Sequence, residues 1–321
     1  MTKERNQLLE QVKTELADAG FLVSSDCDVR PSCFDIVARK DDQLVLVKVL
    51  ANVGALTNQD ASALKRVAGF FNAVPLVIGN KTQRGQLEDN TVYKRYGITT
   101  ITTSILRRVL RSDELPMEYV QRGGRFVTID SVKLRETRTV RRMTKEDLAE
   151  CVNVSARAIL AYEKNEIDVS VEVAERLEKV LETDLIIPID PLRASLPDNS
   201  PLDSNVPQEE ELSYIERKVT DFLGQLGMTV LWTNRAPFHI AARERGPPIL
   251  SGIGSIRNPG FQRRTEILKS VSEVTESDAV LIVEDQDGPE MTDLPVVYQQ
   301  ELEEIDEPTE LKRILSERLD G

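Results

Sequence analysis

A run of basic residues near the middle of the chain could bind phosphate groups. Between Arg107 and Lys145 eleven lysine and arginine residues stand against five acidic residues, which leaves a local charge of +6. The whole chain of 321 residues has a formal net charge of −13 at pH 7. Net charge governs solubility and long-range association, whereas a local basic surface can still hold nucleic-acid phosphates. The acidic composition therefore does not exclude a nucleic-acid partner.

Residue types that bind metals or act as nucleophiles are sparse. The cysteines Cys27, Cys33 and Cys151 and the single histidine, His239, lack the spacing of a metal site. Cysteines without a disulfide framework are usually reduced thiols, and they are more often small core residues than nucleophiles. A lone histidine is likewise more often a packed or surface residue than a ligand. We therefore predict no metal and no cofactor.

Four short helices over residues 131–182 would position the basic residues. Thr144 is predicted to cap one of them, with Asp147 as its partner three residues further on. Asn153 falls at the following turn and tolerates the left-handed conformation there. Ser155 is predicted to cap the next helix. This order of helix, turn and helix predicts a DNA-binding unit.

The string at residues 143–181 carries a specific resemblance: it reads MTKEDLAECVNVSARAILAYEKNEIDVSVEVAERLEKVL. It resembles the Cro/repressor-like, or xenobiotic-response-element, class of helix-turn-helix proteins. In that class the second helix of the pair enters the major groove, and its first residues reach base edges. The resemblance implies binding to double-stranded DNA.

Carried over residue by residue, the resemblance assigns DNA contacts to six positions. These are Lys145, Ser155 and Lys164 on or near the phosphate backbone, and Ala156, Arg157 and Ala161 at the base edges. Arg157 is the only long donor among the base-reading positions, and it would read guanine. The alanines offer only apolar contact to a thymine methyl group. Part of the specificity would then rest on DNA shape or on the hairpin at Gly123-Gly124.

Apolar segments on both sides of this helical region follow an α/β pattern. The order to about residue 110 is helix, three strands, helix, strand. The string FDIVAR at 34–39 recurs as FHIAAR at 238–243, an offset of 204, and the helix before Gly20 recurs before Gly227, an offset of 207. A register that stays constant over more than forty residues favours duplication of the first domain.

In element order the first α/β domain resembles the restriction-endonuclease-like PD-(D/E)XK superfamily. Its active site needs an acid on one strand and acid-x-Lys on the next, so that two carboxylates hold the Mg²⁺ that activates water. The resemblance places Asp35 as the first acid and Lys48 as the lysine, but Leu46 occupies the position of the second acid. Glu10 or Glu15 could lend a carboxylate, although Asp35 alone would hold Mg²⁺ poorly.

The second copy departs further from the nuclease pattern. His239 stands for the aspartate and Gly252 for the lysine, so this copy has lost the chemistry. We therefore interpret both α/β domains as scaffolds for dimerisation or for non-specific contact with the DNA backbone, because a fold does not imply its usual function. No catalytic residues are predicted.

The predicted fold class is α/β plus all-α, with two restriction-endonuclease-like α/β domains flanking a helix-turn-helix bundle. The predicted parts are a degenerate nuclease-like domain at 1–112, a β-hairpin connector at 113–130, a helix-turn-helix domain at 131–185, a linker at 186–212 and a second degenerate nuclease-like domain at 213–321. This order, with the strings YVQRGGRFVTIDSVKLRETR and DLIIPID, is similar to that of the archaeal family of HTH-type transcriptional regulatory proteins. The resemblance implies cytoplasmic DNA binding.

We predict a sequence-specific, DNA-binding transcriptional regulator. One helix-turn-helix makes few contacts, so we expect a homodimer that reads two half-sites. The sequence shows no membrane-spanning run and no signal peptide, and we expect a cytoplasmic protein. Two alternatives remain open: a Mg²⁺-dependent nuclease or DNA-processing protein that uses Asp35 and Lys48, and a non-catalytic, antitoxin-like or adaptor protein.

Overall fold

The structure is a computed structural model that describes residues 3–112, 114–193, 213–244, 246–255, 257–283, 293–305 and 307–319. The helices in this part of the chain are α1 (Lys3–Asp18), α2 (Asn58–Phe71), α3 (Thr103–Ser112), α4 (Ser131–Val140), α5 (Lys145–Val152), α6 (Ala156–Glu163), α7 (Val171–Leu181), α8 (Tyr214–Gln225), α9 (Pro259–Thr275), α10 (Gln299–Glu303) and α11 (Pro308–Leu319). None of them is long and apolar enough to cross a membrane.

The strands of the first 200 residues are β1 (Leu22–Val23), β2 (Ile36–Lys40), β3 (Gln43–Val49), β4 (Val74–Ile78), β5 (Lys81–Thr82), β6 (Gly85–Gln86), β7 (Val92–Arg95), β8 (Ile98–Ile101), β9 (Glu118–Gln121), β10 (Gly124–Ile129), β11 (Val169–Ser170) and β12 (Ile186–Ile187). The later strands are β13 (Thr229–Trp232), β14 (Ile240–Arg243), β15 (Ile249–Gly254), β16 (Asp278–Val283) and β17 (Val296–Tyr298). The chain is therefore a mixed α/β protein.

The chain forms two compact units. The first unit contains residues 1–15, 51–54 and 77–194, and the second unit contains residues 16–50, 55–76 and 195–321. Residues of the predicted first domain are thus found in both units. The predicted helix-turn-helix region belongs entirely to the first unit.

A β-hairpin joins the helix-turn-helix region to other strands of the first unit. Strands β9 and β10 pair with Gln121 opposite Gly124, so the tight turn is Arg122-Gly123, one residue before the predicted Gly123-Gly124, and Gly123 has φ +114°. Strand β9 also pairs with β7 in parallel, and β10 pairs with the short strands β11 and β12. The segment predicted as a connector is therefore part of a larger sheet.

The start of the predicted linker is ordered against this sheet. Ile187 lies opposite Thr128 in the pairing of β12 with β10, and Leu192 is buried. The apolar pair Ile186-Ile187 explains this, because it adds a short strand before the prolines. The rest of the predicted linker, residues 194–212, lies outside the described residues.

Helices α4 to α7 confirm the prediction of four helices over 131–182. They share one core with strand β10, and its fully buried side chains include Leu134, Leu148, Val152, Ile159, Leu177 and Leu181. Val127 and Ile129 of β10 belong to the same core. The hairpin and the helix-turn-helix therefore pack as one body within the first unit.

The second unit holds two α/β segments. The N-terminal α/β segment (residues 16–50 and 55–76) pairs β1, β2 and β3 antiparallel. The C-terminal α/β segment (residues 213–319) has the strand order β13-β14-β15-β16-β17, with β15, β16 and β17 parallel. Its core lies between this sheet and helices α8 and α11.

The two segments have the same strand register. Ile36 lies opposite Val47 in the N-terminal segment, and Ile240 lies opposite Ser251 in the C-terminal segment. Ile240 follows Ile36 by 204 residues, and Ser251 follows Val47 by the same number. Helices α2 and α9 end at left-handed residues that are also 204 apart, Asn72 and Glu276. The offset found in the sequence therefore also describes the strand pairing and the helix ends.

The segments also contact each other through equivalent residues. Arg39 donates hydrogen bonds to the carbonyl oxygens of Val274 (2.6 Å) and Thr275 (3.2 Å) at the end of α9. In the reverse direction, the guanidinium carbon of Arg243 lies 5.3 Å from the ring centroid of Phe70 in α2. Position 39 corresponds to 243 and position 70 to 274, so the two contacts are reciprocal.

Candidate nucleic-acid interface

The turn between α5 and α6 is fixed by caps that follow the sequence prediction. Thr144 accepts a hydrogen bond from the Asp147 amide (3.0 Å), and Asp147 accepts one from the Thr144 amide (2.8 Å). The Thr144 side chain, and then its backbone amide, lower the pKa of the Asp147 carboxyl. Asn153 adopts the left-handed conformation, with φ 57° and ψ 53°. Ser155 Oγ accepts from the Ala158 amide (3.1 Å) and keeps its own proton to donate.

The inward side of this helix pair is apolar. Leu148 and Val152 of α5 and Ile159 of α6 are fully buried, and Tyr162 is 7% exposed. Burial raises the pKa of Tyr162, and the nearby Arg176 opposes the rise. Because these spacings bury one side of each helix, the other side is left to solvent.

The structure places the six predicted contact residues on α5, on α6 and at the ends of α6. Ser155, Arg157 and Lys164 are exposed, whereas Lys145, Ala156 and Ala161 are half-buried. Lys164 Nζ lies 3.5 Å from a Glu166 carboxylate oxygen, and both side chains are more than half exposed. Lys145 and Arg157 make no ion pair with any residue that the structure describes. Two of the predicted cations are therefore available to an external anion.

Much of the predicted basic stretch is neutralised by ion pairs within the first unit. Five of its eleven cations pair with carboxylates: Arg107 and Arg111 with Glu15, Arg125 with Glu88 and Glu118, Arg138 with Glu163, and Arg141 with Glu182. The cations without an ion pair in the described residues include Arg122, Arg135, Arg142 and Lys145. The local charge of +6 therefore overstates the positive charge open to a ligand.

Arg138 and Glu163 form a buried ion pair that sequence reasoning missed. Arg138 Nε donates to Glu163 Oε1 (2.5 Å), and Nη1 donates to the Met143 carbonyl oxygen (2.7 Å). The side chains are only 12% and 4% exposed. Glu163 follows the buried Ile159 by four residues, which places it on the inward side of α6. That spacing was the available signal, and the pair ties α4 to α6.

A second polar cluster ties the hairpin to the loop after α6. The Tyr119 hydroxyl donates to the Asp168 carboxylate, and Gln121 Nε2 donates to its other oxygen (2.5 Å). Lys94 Nζ lies 3.7 Å from the Tyr119 ring centroid. Burial and then Asp168 raise the pKa of Tyr119, whereas burial lowers the pKa of Lys94 against the opposing effect of Asp168. These contacts hold the helix-turn-helix against strand β9.

The structure brings together Asp35 and Lys48, the two residues of the nuclease-like pattern, but they bind each other and nearby backbone groups. Asp35 Oδ2 accepts from the Val49 amide (2.7 Å), and Lys48 Nζ lies 3.4 Å from Oδ1. Lys48 also donates to the Ser32 carbonyl oxygen (2.6 Å), and the Arg30 guanidinium lies 3.6 Å from Oδ1. Asp35 is 1% exposed and Lys48 is 7% exposed. Both carboxylate oxygens are therefore occupied by groups of the protein.

These residues do not fit a magnesium site, which needs several oxygen ligands. Leu46 is 1% exposed and has no oxygen to offer. Glu15, the carboxylate that could substitute for the missing acid, is bound by Arg107 (2.7 Å) in the first unit. Glu10 pairs with Lys13 (3.1 Å). Within the described residues, no three histidine, cysteine or acidic side chains group as metal ligands.

His239 occupies the position of Asp35 in the C-terminal α/β segment. Its Nδ1 accepts from the Ile253 amide (2.9 Å), which matches the bond from the Val49 amide to Asp35 at an offset of 204. At Gly252, in the position of Lys48, an added Cβ would lie 3.2 Å from two leucine side chains. A lysine would therefore not fit there without movement of the core.

We expect the His239 ring to titrate far below an ordinary histidine. Burial, and then the nearby Arg264, lower the pKa of His239 to about 4. In the unfolded chain the histidine has a pKa of about 6.5, so it binds a proton more tightly than in the folded protein. The stability that the neutral ring contributes is therefore present above about pH 6.5 and is lost as the pH falls toward about 4. Because the chain has one histidine, its NMR signal measures the midpoint directly in phosphate-free buffer. A midpoint above 6 would contradict the burial of the ring.

The cysteines divide into two kinds. Cys27 and Cys33 are buried as predicted, and burial raises the pKa of both thiols, that of Cys33 to about 12. Cys151 is exposed on α5, so the prediction of a core residue was wrong there. Its position on the outer side of a short amphipathic helix explains the difference.

Comparison with known proteins gives matches to two families and to whole-length relatives. Residues 5–116 match the PD-(D/E)XK superfamily domain, and residues 134–186 match the helix-turn-helix family. Three archaeal relatives carry the name "Putative HTH-type transcriptional regulatory protein". They are 33% identical in Thermococcus kodakarensis (97% of this chain, 96% of the relative), 34% in Pyrococcus furiosus (98% and 98%) and 33% in Methanosarcina mazei (100% and 99%). No solved structure matches the chain.

Proposed function

We propose that this chain, which belongs to the archaeal family of HTH-type transcriptional regulatory proteins, is a sequence-specific DNA-binding transcriptional regulator. The observation that carries the proposal is the exposed start of α6. Ser155 caps this helix, and Arg157 stands two residues further on without an ion pair among the described residues. A long donor at the start of a capped, exposed helix suits the reading of a base edge in the major groove.

The other predicted residues would position α6 on the duplex. The Ser155 hydroxyl and the Lys145 ammonium would contact phosphates, and the positive end of the α6 dipole favours the same anion. Lys164 would contact the backbone as well, because its exposed pair with Glu166 is worth little and a phosphate can replace it. Ala156 and Ala161 would lie against the bases.

The unpaired cations of the first unit would add affinity that does not depend on sequence. Arg135 and Arg142 are exposed, and neither makes an ion pair among the described residues. Contacts of this kind release counterions from DNA and weaken as salt rises. We therefore assign base preference to Arg157 and general affinity to the surrounding cations.

Replacing Arg157 by alanine is expected to weaken binding to the best site by about 1–3 kcal/mol, or about 5–150-fold. Preference should relax at a single base pair, because a bidentate arginine reads one guanine. The measurement is equilibrium binding to the selected site and to its single-base variants at fixed salt. Lys179→Ala, which removes an exposed cation from α7, is the matched control and should bind as the wild type does. Unchanged affinity and preference in Arg157→Ala would exclude it as the reader.

We further propose a homodimer that binds double-stranded DNA in the cytoplasm and reads two half-sites. In this proposal the chain keeps the order of parts predicted from the sequence, with the start of the linker paired to the hairpin, and the C-terminal α/β segment is a second, degenerate nuclease-like copy. The equal strand register and the equivalent bonds at Asp35 and His239 support the duplication.

We propose that the nuclease-like parts are scaffolds and not catalysts. The support is the internal use of Asp35 and Lys48, together with the leucine at position 46. A hydrolytic centre needs a carboxylate that is open to metal and water, and here both oxygens of Asp35 are engaged. The match of residues 5–116 to the superfamily therefore gives the kind of domain and not its usual activity.

A further inference from the structure

His239 occupies the position where the nuclease pattern would have an acid, and Arg264 of α9 lies beside it. Arg264 Nη1 is 2.7 Å from His239 Nε2, and both side chains are partly exposed. No carboxylate among the described residues lies within ion-pair distance of Arg264. Glu216 attracts the Arg264 charge from a longer distance, and its carboxylate accepts a hydrogen bond from the Ser213 amide in the cap of α8. Arg264 is therefore a cation without a bound anion among these residues.

Two hydrogen-bond donors, His239 and Arg264, converge at this position. His239 Nδ1 accepts from the Ile253 backbone amide, which can only donate. The proton of the neutral ring is then on Nε2, which faces the guanidinium of Arg264, another group that can only donate. The opposite tautomer would place Nδ1–H against the fixed Ile253 amide instead. An oxygen that accepts from both Nε2–H and Arg264 suits this arrangement.

The charged groups at this position differ between the two α/β segments. In the N-terminal segment, Asp35 is neutralised by Lys48. In the C-terminal segment, a neutral histidine replaces the acid and Gly252 replaces the lysine. Arg264 itself corresponds to Asp60 at the offset of 204. The C-terminal position therefore lacks the carboxylate and has an arginine beside a neutral histidine, which suits an anion.

We propose that His239 and Arg264 form a phosphate-binding site in the C-terminal α/β segment. Nε2–H and the guanidinium would each donate to oxygens of one phosphate group, because a phosphate offers several strong acceptors to an arginine fork. The phosphate belongs either to the DNA backbone or to a small phosphate-containing molecule. The site is separate from the helix-turn-helix and does not depend on operator recognition.

The test uses full-length protein labelled with nitrogen-15 at its single histidine. Inorganic phosphate is added at constant ionic strength set by chloride, and the Nε2 resonance is followed by NMR. We expect a saturable shift in the wild type and a dissociation constant that is larger by about tenfold or more in Arg264→Gln. Arg263→Gln is the matched control: Arg263 is the adjacent, exposed arginine that pairs with Asp28 (3.1 Å). This control should keep the wild-type response.

Arg264→Lys separates binding from folding, since it keeps the positive charge and should keep part of the affinity. Absence of a saturable shift in the folded wild type, or an equal response in Arg264→Gln, would overturn the proposal. A short duplex without the operator then identifies the source of the phosphate. Competition between duplex and phosphate supports a backbone contact, whereas phosphate binding that the duplex leaves unchanged supports a small-molecule ligand.

Discussion

Replacing Arg138 by methionine is expected to lower the free energy of unfolding of the helix-turn-helix by about 3–5 kcal/mol. The substitution leaves Glu163 charged in a site where its side chain is only 4% exposed. It also removes the donor to the Met143 carbonyl oxygen just before α5. A buried charge without its partner costs more than the pair gains, so the loss of one member should be severe.

Hydrogen exchange of peptides from α5 and α6 is the appropriate measurement, because it follows the helix-turn-helix separately from the rest of a chain that forms two units. Glu163→Leu alone should be destabilised to a similar degree. Arg138→Met combined with Glu163→Leu should recover much of the protection, since no unpaired charge remains. If the double variant loses as much protection as the two single variants added together, the pair is not coupled and our assignment is wrong.

Replacing Asp35 by alanine is expected to lower the free energy of unfolding of the second unit by about 3–5 kcal/mol. We expect no DNA cleavage by either the wild-type protein or this variant. The substitution removes the carboxylate beside the buried Lys48 and the oxygen that accepts from the Val49 amide. Asp35→Asn is the matched control, since it keeps an acceptor for Val49 and should lose less stability. Urea unfolding followed by the fluorescence of Trp232, the single tryptophan and a residue of the same unit, measures the difference.

The same variants test the nuclease alternative. Duplex and branched DNA are incubated with wild-type protein and Mg²⁺, and we expect no cleavage. Cleavage by the wild type that disappears in a folded Asp35→Asn protein would instead establish a metal-dependent enzyme, and the scaffold role would have to be abandoned.

Features set by local chemistry could be predicted from the sequence. Thr144, Asn153 and Ser155 each act through a backbone group within a few residues, so their types and spacing were sufficient to place the turn. The repeat could also be read from the sequence, because the pairing of β2 with β3 and of β14 with β15 depends on one preserved apolar pattern.

Features set by contacts between distant residues could not be predicted. Arg138 meets Glu163 across 25 residues, and Tyr119 meets Asp168 across 49. A charge sum over a stretch of sequence treats every arginine as available to a ligand. In the fold, several of these arginines form ion pairs with carboxylates that lie elsewhere in the chain. The pairing of His239 with Arg264 was missed for the same reason, since neither residue belongs to a recognisable spacing.

Selection of bound fragments from genomic DNA is the most direct test of sequence-specific recognition by α6. Wild-type protein and Arg157→Ala are compared in parallel, with competitor DNA present, and the bound fractions are sequenced. We expect the wild type to enrich a motif with two-fold symmetry whose half-sites lie about 34–36 Å apart, and Arg157→Ala to lose preference at one base pair of each half-site. A flat distribution of fragments for the wild-type protein would contradict sequence-specific regulation.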